Sequence, residues 1–176
     1  CGTIKGTEII LLSRHGRDHS LPPAEINNRA NIYALRDAGC THILATTACG
    51  SLREDINRGD LVIPDQFIDF TRHRKITFYN SFEPGNMKHT PMADPFDESL
   101  RRLLIASADD LGLKTHGKGT VITIEGPRFS TRAESKIMLL SIQSFSAGIP
   151  RRRTLFAVMP SARRVVKPYC FFWEYC

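Results

Sequence analysis

The sequence lacks the marks of several large protein classes. No apolar run approaches the roughly 18 residues that a membrane-spanning helix needs, so none is expected. The chain begins at Cys1 rather than Met and shows no signal-peptide pattern, so we expect it to be processed or part of a longer protein. Its five cysteines form no CxxC pair and no metal-ligand spacing, which favours reduced thiols in a cytosolic protein.

A shortage of acidic residues is confined to one part of the chain. The net charge is +6, but residues 1–135 contain 17 of the 24 basic and 17 of the 18 acidic residues. The whole positive excess therefore lies in residues 136–176. Because the longer segment is neutral and carries no DNA- or RNA-binding motif, a nucleic-acid-binding module is disfavoured. The 41% hydrophobic content is enough for one packed domain.

Hydrophobic patterns predict strands and helices in alternation, as in an α/β protein. Strands are expected at residues 8–13, 42–45, 60–68 (with a bend or edge position at Pro64) and 119–124. The first predicted helix covers residues 25–38 and has a buried face formed by Ile26, Ala30, Tyr33 and Ala34. The second starts at the cap Asp97 and has a buried face formed by Leu100, Leu103, Leu104, Ala108 and Leu111. Residues 71–89 are expected to be a loop.

Potential ligand-binding groups follow three of these strands. Arg14 and His15 follow the first strand, small and hydroxyl residues at 46–51 follow the second, and Glu125-Gly126-Pro127 follows the last. The first strand, helix and second strand form a βαβ unit, so both strands are expected to be parallel neighbours that end at one sheet edge. Their ends would then form a phosphate-sized site. Three alternatives stay open: a solvated loop at Arg14, an ordinary turn after residue 45, and a plain turn at residues 126–127 with Phe129 as a core anchor.

Four segments in this order resemble the trimeric nucleoside phosphorylase family: residues 14–16, 46–52, 59–69 and 125–134. Within the family they are most similar to the enzymes that cleave S-methyl-5'-thioadenosine. The resemblance covers about residues 2–135. It implies a mixed central sheet flanked by helices, incomplete at both ends of this chain.

The resemblance also implies a reaction. Inorganic phosphate would attack the ribosyl group of S-methyl-5'-thioadenosine, giving adenine and 5-methylthioribose 1-phosphate in purine and methionine salvage. Such a pentosyltransferase uses no metal and no organic cofactor. It would be a homotrimer in the cytoplasm, with the nucleus as a second location, and would bind neither nucleic acid nor membrane. The alternatives are phosphorolysis of 6-oxopurine nucleosides and a non-catalytic truncated isoform that binds family subunits.

Family positions are carried over to seven residues. Phosphate binding is implied for Arg14, His15, Thr47 and Ala48. Purine stacking is implied for Phe129 and base choice for Ser130. His89 resembles the residue that reaches the neighbouring subunit's pocket near the 5'-methylthio group.

The sequence departs from the family at both ends. The N-terminal strand with its glycine-rich turn, the Asn-Met-Thr segment and the Asp-Tyr-Asp segment with the base-side carboxylates have no counterpart here. No catalytic residue is therefore identified, and we expect this chain to be impaired or inactive. We interpret residues 1–135 as a partial nucleoside phosphorylase domain. We interpret residues 136–176 as a divergent basic and aromatic tail, arising from a frame change or an unspliced segment, with a partner-binding tail as the alternative.

Overall fold

The structure is a computed structural model that describes residues 1–143, 152–159 and 169–172. The strands are β1 Gly2–Ile4, β2 Thr7–Leu12, β3 His42–Gly50, β4 Leu61–Val62, β5 Gln66–Phe70, β6 Thr115–His116, β7 Thr120–Ile124, β8 Arg152–Met159 and β9 Tyr169–Phe172. The helices are α1 Asn28–Asp37, α2 Glu98–Asp110 and α3 Arg132–Gln143, and a 3-10 turn covers Pro23–Glu25. No helix in the described ranges is long and apolar enough to cross a bilayer.

The described strands form one large mixed sheet and one small parallel pair. The order in the large sheet is β1-β2-β9-β3-β8-β4-β6, and β5 pairs with β7. This confirms the predicted α/β class with a mixed central sheet. Both β2 and β3 run parallel to β9, so they point the same way. The prediction that they are direct neighbours is wrong, because β9 lies between them.

The segment predicted as a divergent tail contributes β8 and β9 to the large sheet. Its proposed origin and its boundary at residue 135 stay predictions, and much of it lies outside the described residues. The expectation of reduced thiols is contradicted at Cys40, which is disulfide-bonded, while Cys1 and Cys49 are free.

Helix α1 is shorter than predicted, and its buried face lies on the side opposite to the predicted one. Its cap is Asn27, whose Oδ1 accepts a hydrogen bond from the Ala30 N–H at 3.0 Å, so Ile26 lies outside the helix. The predicted face is exposed, with Tyr33 at 59%. Leu35 is instead buried against Ile32 and side chains of β2 and β3. The prediction failed because it took its phase from a residue that the helix does not contain.

The strand predictions were right in place and wrong in extent. β3 continues to Gly50, so residues 46–50 belong to the strand rather than to a following turn. Antiparallel pairing with β8 extends it, from Ile43–Met159 to Gly50–Arg152. The strand predicted at residues 60–68 is two strands in two different sheets, separated by Ile63, Pro64 and Asp65. The bend predicted at Pro64 lies at this separation, where proline has no N–H to donate to a ladder.

Helix α2 begins as predicted. Asp97 caps it by accepting the Leu100 N–H at 2.8 Å, and the helix ends at Asp110 with Leu111 as its C-cap. Its buried residues are Leu100, Ala108 and, against expectation, Arg101. Leu103 and Leu111, predicted to be buried, are 56% and 73% exposed. The leucine pattern therefore predicted only part of the buried face of α2.

A buried carboxylate joins the start of β4 to β6. Asp60 is 4% exposed, and its Oδ2 accepts hydrogen bonds from the Asn57 N–H at 2.7 Å and from His116 Nε2 at 2.8 Å. Lys114 Nζ lies 3.3 Å from the same oxygen. Burial raises the pKa of this carboxyl, but the bonds from His116, Asn57 and Lys114 outweigh it and lower the pKa to about 2.

The Asp60 cluster should make stability depend on acid pH. A carboxyl whose folded pKa is depressed stabilises the fold above its unfolded pKa, near 3.8, and loses that contribution as pH falls towards 2. We expect Asp60→Asn to lower the free energy of unfolding by about 2 kcal/mol at pH 7 and by little at pH 2. Urea titrations across this range measure it. Asp55→Asn, which alters an exposed pair with Arg53, is the control. A loss for Asp60→Asn that is the same at both pH values would contradict the prediction.

Candidate active site

The turn after β2 fixes the ring of His15. Gly16 N–H donates to Ser13 O at 3.1 Å, and Gly16 has a φ of +82°, which glycine adopts without strain. His15 is 4% exposed, and its Nδ1 lies 2.7 Å from Leu21 O. A carbonyl can only accept, so Nδ1 carries the hydrogen in this bond. Arg14, next to it, is half-buried.

Sheet register places the end of β2, which leads into Arg14 and His15, at the level of Ala45, two residues before Thr47. Leu12 and Ala45 pair with the same residue of β9, Phe172. Arg14 follows Leu12 by two residues, as Thr47 follows Ala45. Adjacent strands are about 4.8 Å apart, so β2 and β3 are separated by roughly 10 Å across β9.

This level is also where the pairing of β3 changes. β9 pairs with residues 42–45 of β3, whereas β8 pairs with residues 43–50. Residues 46–50 therefore extend beyond the β9 ladder and are aligned by β8. A guanidinium and an imidazole just after β2 and a threonine hydroxyl in β3 are donors that suit an oxyanion.

A second candidate region follows β7 and lies near the first. Pro23, two residues after the Leu21 that holds His15, is so close to Gly126 that a Cβ added there would be 3.5 Å from the proline ring. Residues 126–131, which we call the base-side loop, begin at this contact. Phe129 is 81% exposed, so the alternative of a core anchor is wrong. Ser130 is half-buried, and its hydroxyl is 2.8 Å from that of Ser135.

A capping box holds the C-terminal end of the base-side loop. Thr131 Oγ1 accepts the Glu134 N–H at 3.1 Å, and Glu134 Oε2 accepts the Thr131 N–H at 2.6 Å. Arg128 forms a fork on both Glu134 oxygens and also donates to Phe129 O at 2.9 Å. The Arg128 guanidinium first, then the Thr131 N–H, lower the pKa of the Glu134 carboxyl to about 2.

Comparison with known proteins gives this arrangement a family. The family model of the phosphorylase superfamily matches residues 1–147. The chain belongs to the phosphorylase superfamily. It is similar to S-methyl-5'-thioadenosine phosphorylase of Danio rerio, with 54% identity over 136 residues that cover 76% of this chain and 49% of the relative. The corresponding enzyme of Xenopus tropicalis is 57% identical over 143 residues, 79% of this chain and 50% of the relative.

Solved structures show the same likeness. A double mutant of adenosine/methylthioadenosine phosphorylase from Schistosoma mansoni, in complex with adenine, superposes with a TM-score of 0.68 at 37% identity. The match covers 84% of this chain and 63% of that one. The chain spans about half the length of the curated relatives it matches.

His89 lies apart from the other predicted site residues of this superfamily member. It is exposed in the long loop between β5 and α2, with its ring 5.9 Å from that of Phe82. Among the described side chains, no hydrogen bond or ring contact joins it to the residues predicted to bind phosphate or to Phe129. Its predicted position in a neighbouring subunit's pocket stays a prediction. The described residues contain no group of three or more potential metal ligands.

The sequence interpretation missed two features that shape the site. The capping box was readable as Thr131 followed by Glu134 at the required spacing, and this pattern also marks the start of α3. The bond from His15 to Leu21 had no comparable signal, because it depends on how one irregular turn closes on itself.

Proposed function

We propose that this chain forms part of an S-methyl-5'-thioadenosine phosphorylase. Phosphate binds at Arg14, His15, Thr47 and Ala48, and the adenine ring lies against Phe129 with Ser130 beside it. The proposal rests on one observation: the chain has two candidate binding regions, and their chemistry matches the two ligands of the reaction, phosphate and a purine. Donors at the level of β2 and β3 suit phosphate, and an exposed aromatic ring 81% open to solvent suits a purine. The relatives' names and the adenine complex support the same substrate.

The reaction exchanges one bond at the anomeric carbon. A phosphate oxygen forms the new bond to that carbon, the bond to adenine breaks, and the electron pair and a proton end on the purine. The transition state resembles an oxocarbenium ion, so the protein must place the phosphate on one face of the sugar and stabilise the leaving base. Arg14 and Thr47 act in the first task and Phe129 in the second. Inorganic phosphate is a co-substrate, and the proposed reaction needs no metal and no organic cofactor.

The proposed protein works as a homotrimer. Support comes from the loop between β5 and α2, where Phe78, Tyr79 and Phe82 are each 45–52% exposed. Aromatic side chains exposed together are typical of a protein interface. This loop also carries His89, which would serve an adjacent subunit. The cytoplasm and nucleus as locations rest on the family resemblance.

The substrate preference tests the proposal. With phosphate present, we expect the chain to release adenine from S-methyl-5'-thioadenosine and to cleave inosine at least tenfold more slowly. Turnover should be slow compared with a complete relative, since general acid help is worth roughly 10²–10⁴-fold and the base-side carboxylate segment has no match here. Chromatography of the released bases measures both rates. Equal cleavage of inosine would shift the proposal to 6-oxopurine nucleosides, and an absence of adenine binding by calorimetry would refute it.

A further inference from the structure

The start of the base-side loop is held by a residue about 50 positions earlier in the chain. Arg74 lies in the loop after β5, and its side chain is 17% exposed. Its Nη2 donates to Ile124 O at 3.2 Å and to Glu125 O at 2.5 Å, and its Nε donates to Glu125 Oε1 at 3.3 Å. One guanidinium therefore binds the last two carbonyls before Gly126.

Glu125 returns the interaction to the loop that carries Arg74. Its Oε2 accepts the N–H groups of Arg72 at 2.5 Å and His73 at 3.0 Å. These two N–H groups first, and then the Arg74 guanidinium, hold the pKa of the Glu125 carboxyl below its usual range. We call this set of bonds between residues 72–74 and residues 124–125 the Arg74–Glu125 clamp.

The clamp and the capping box lie on opposite sides of Phe129. Ile124 and Glu125 precede Gly126, which has a φ of +69° and leads directly into the loop. The capping box of Thr131 and Glu134 fixes the other end. Because Phe129 is 81% exposed, core packing does not hold its ring, and the backbone on its two sides must set its position.

We propose that Arg74 is a positioning residue for adenine binding, a role that rests on the proposed function. It touches neither ligand. It fixes the backbone from which the Phe129 ring projects. The aromatic face is therefore in place before the purine binds, and binding loses less conformational entropy of the loop. Arginine suits this role because its planar fork presents donors to two carbonyls and a carboxylate in a fixed geometry, whereas a lysine ammonium is a compact charge on a flexible stem.

Limited digestion with trypsin, together with titrations of adenine and inorganic phosphate, tests this role in the 176-residue chain. In Arg74→Ala we expect trypsin to cut the Arg128–Phe129 bond about tenfold faster, because the loop opens more often. The Kd for adenine, measured by titration calorimetry, should rise about tenfold. The Kd for inorganic phosphate should stay within about twofold, since none of the clamp's described hydrogen bonds involves a residue of β2 or β3. Arg74→Lys should lie between Arg74→Ala and the unsubstituted protein, and it replaces Arg74→Ala if that variant does not fold.

Arg72→Ala is the matched control. It also removes an arginine from the same turn, but the clamp uses only the backbone N–H of residue 72, so neither cleavage nor adenine binding should change. Equal cleavage in the Arg74 and Arg72 variants overturns the proposal. Parallel losses of adenine and phosphate binding also overturn it, since they indicate general unfolding. If the unsubstituted protein binds no adenine, the proposed function fails, while faster cleavage of Arg74→Ala alone still shows that Arg74 holds the loop.

Discussion

Replacing Arg14 with alanine should weaken the binding of inorganic phosphate about 10- to 150-fold. A hydrogen bond between a charged donor and an oxyanion is worth about 1.5–3 kcal/mol, and that range converts to this change in Kd. The expected loss is large because Arg14 brings a permanent positive charge to the proposed site. Titration calorimetry with phosphate measures it without any need for turnover.

Arg17→Ala provides the comparison for this prediction. Arg17 is an exposed arginine of the same turn, so its removal changes the net charge equally but leaves the proposed phosphate residues intact. Adenine binding should be nearly the same in both variants. If Arg14→Ala and Arg17→Ala bind phosphate equally well, the phosphate site is not at the end of β2.

Replacing Arg101 with alanine should lower the free energy of unfolding by about 3 kcal/mol. Arg101 is 5% exposed, and its guanidinium donates to Pro64 O at 2.8 Å and to Gly117 O at 2.5 Å. It also forms an ion pair with Glu98. The truncation removes a donor from both carbonyls, and a buried acceptor left unsatisfied costs about 1–3 kcal/mol. Urea titration at pH 7 measures the change.

A variant of the neighbouring arginine shows whether the loss of stability comes from the buried contacts of Arg101 or from the loss of a charge. Arg102 pairs with the same Glu98, 3.0 Å away, but its side chain is 78% exposed. Arg102→Ala should therefore cost less than about 0.5 kcal/mol. Arg101→Lys keeps the charge without the fork and should fall between the two. Similar losses for Arg101→Ala and Arg102→Ala would show that the contacts with Pro64 and Gly117 contribute little.

Local signals in the sequence predicted those elements that depend on near neighbours. The Asp97 cap, the positions of β2 and β7, and the bend at Pro64 each follow from residues a few positions apart. The length of β3 and the separation of β2 from β3 could not be predicted in this way. Both depend on pairing with β8 and β9, which lie more than 100 residues further along the chain.

The candidate site likewise contains residues that local sequence predicts and residues that it does not. Residues that follow strands, such as Arg14 and Phe129, could be proposed from the sequence because strand ends are where α/β proteins bind ligands. Arg74 was not identified, since it lies in a loop without hydrophobic periodicity and bonds to residues 50 positions away. The burial of Arg101 was not predicted for a related reason. A charged side chain is buried only where it finds hydrogen-bond partners, and the two carbonyls that accept from Arg101 lie far from it in the sequence.

The position of β9 between β2 and β3 also limits when the proposed phosphate site can form during synthesis. The ends of β2 and β3 are brought into common register through pairing with residues 169–172. The ribosome must therefore complete all the intervening chain before the two ligand-binding strands acquire their spacing. Closing so long a loop carries a large entropic cost, and topologies rich in such distant contacts fold slowly. Before β9 has been synthesised, the inner edges of β2 and β3 have no partner from residues 169–172, and exposed strand edges of this kind favour aggregation with other chains.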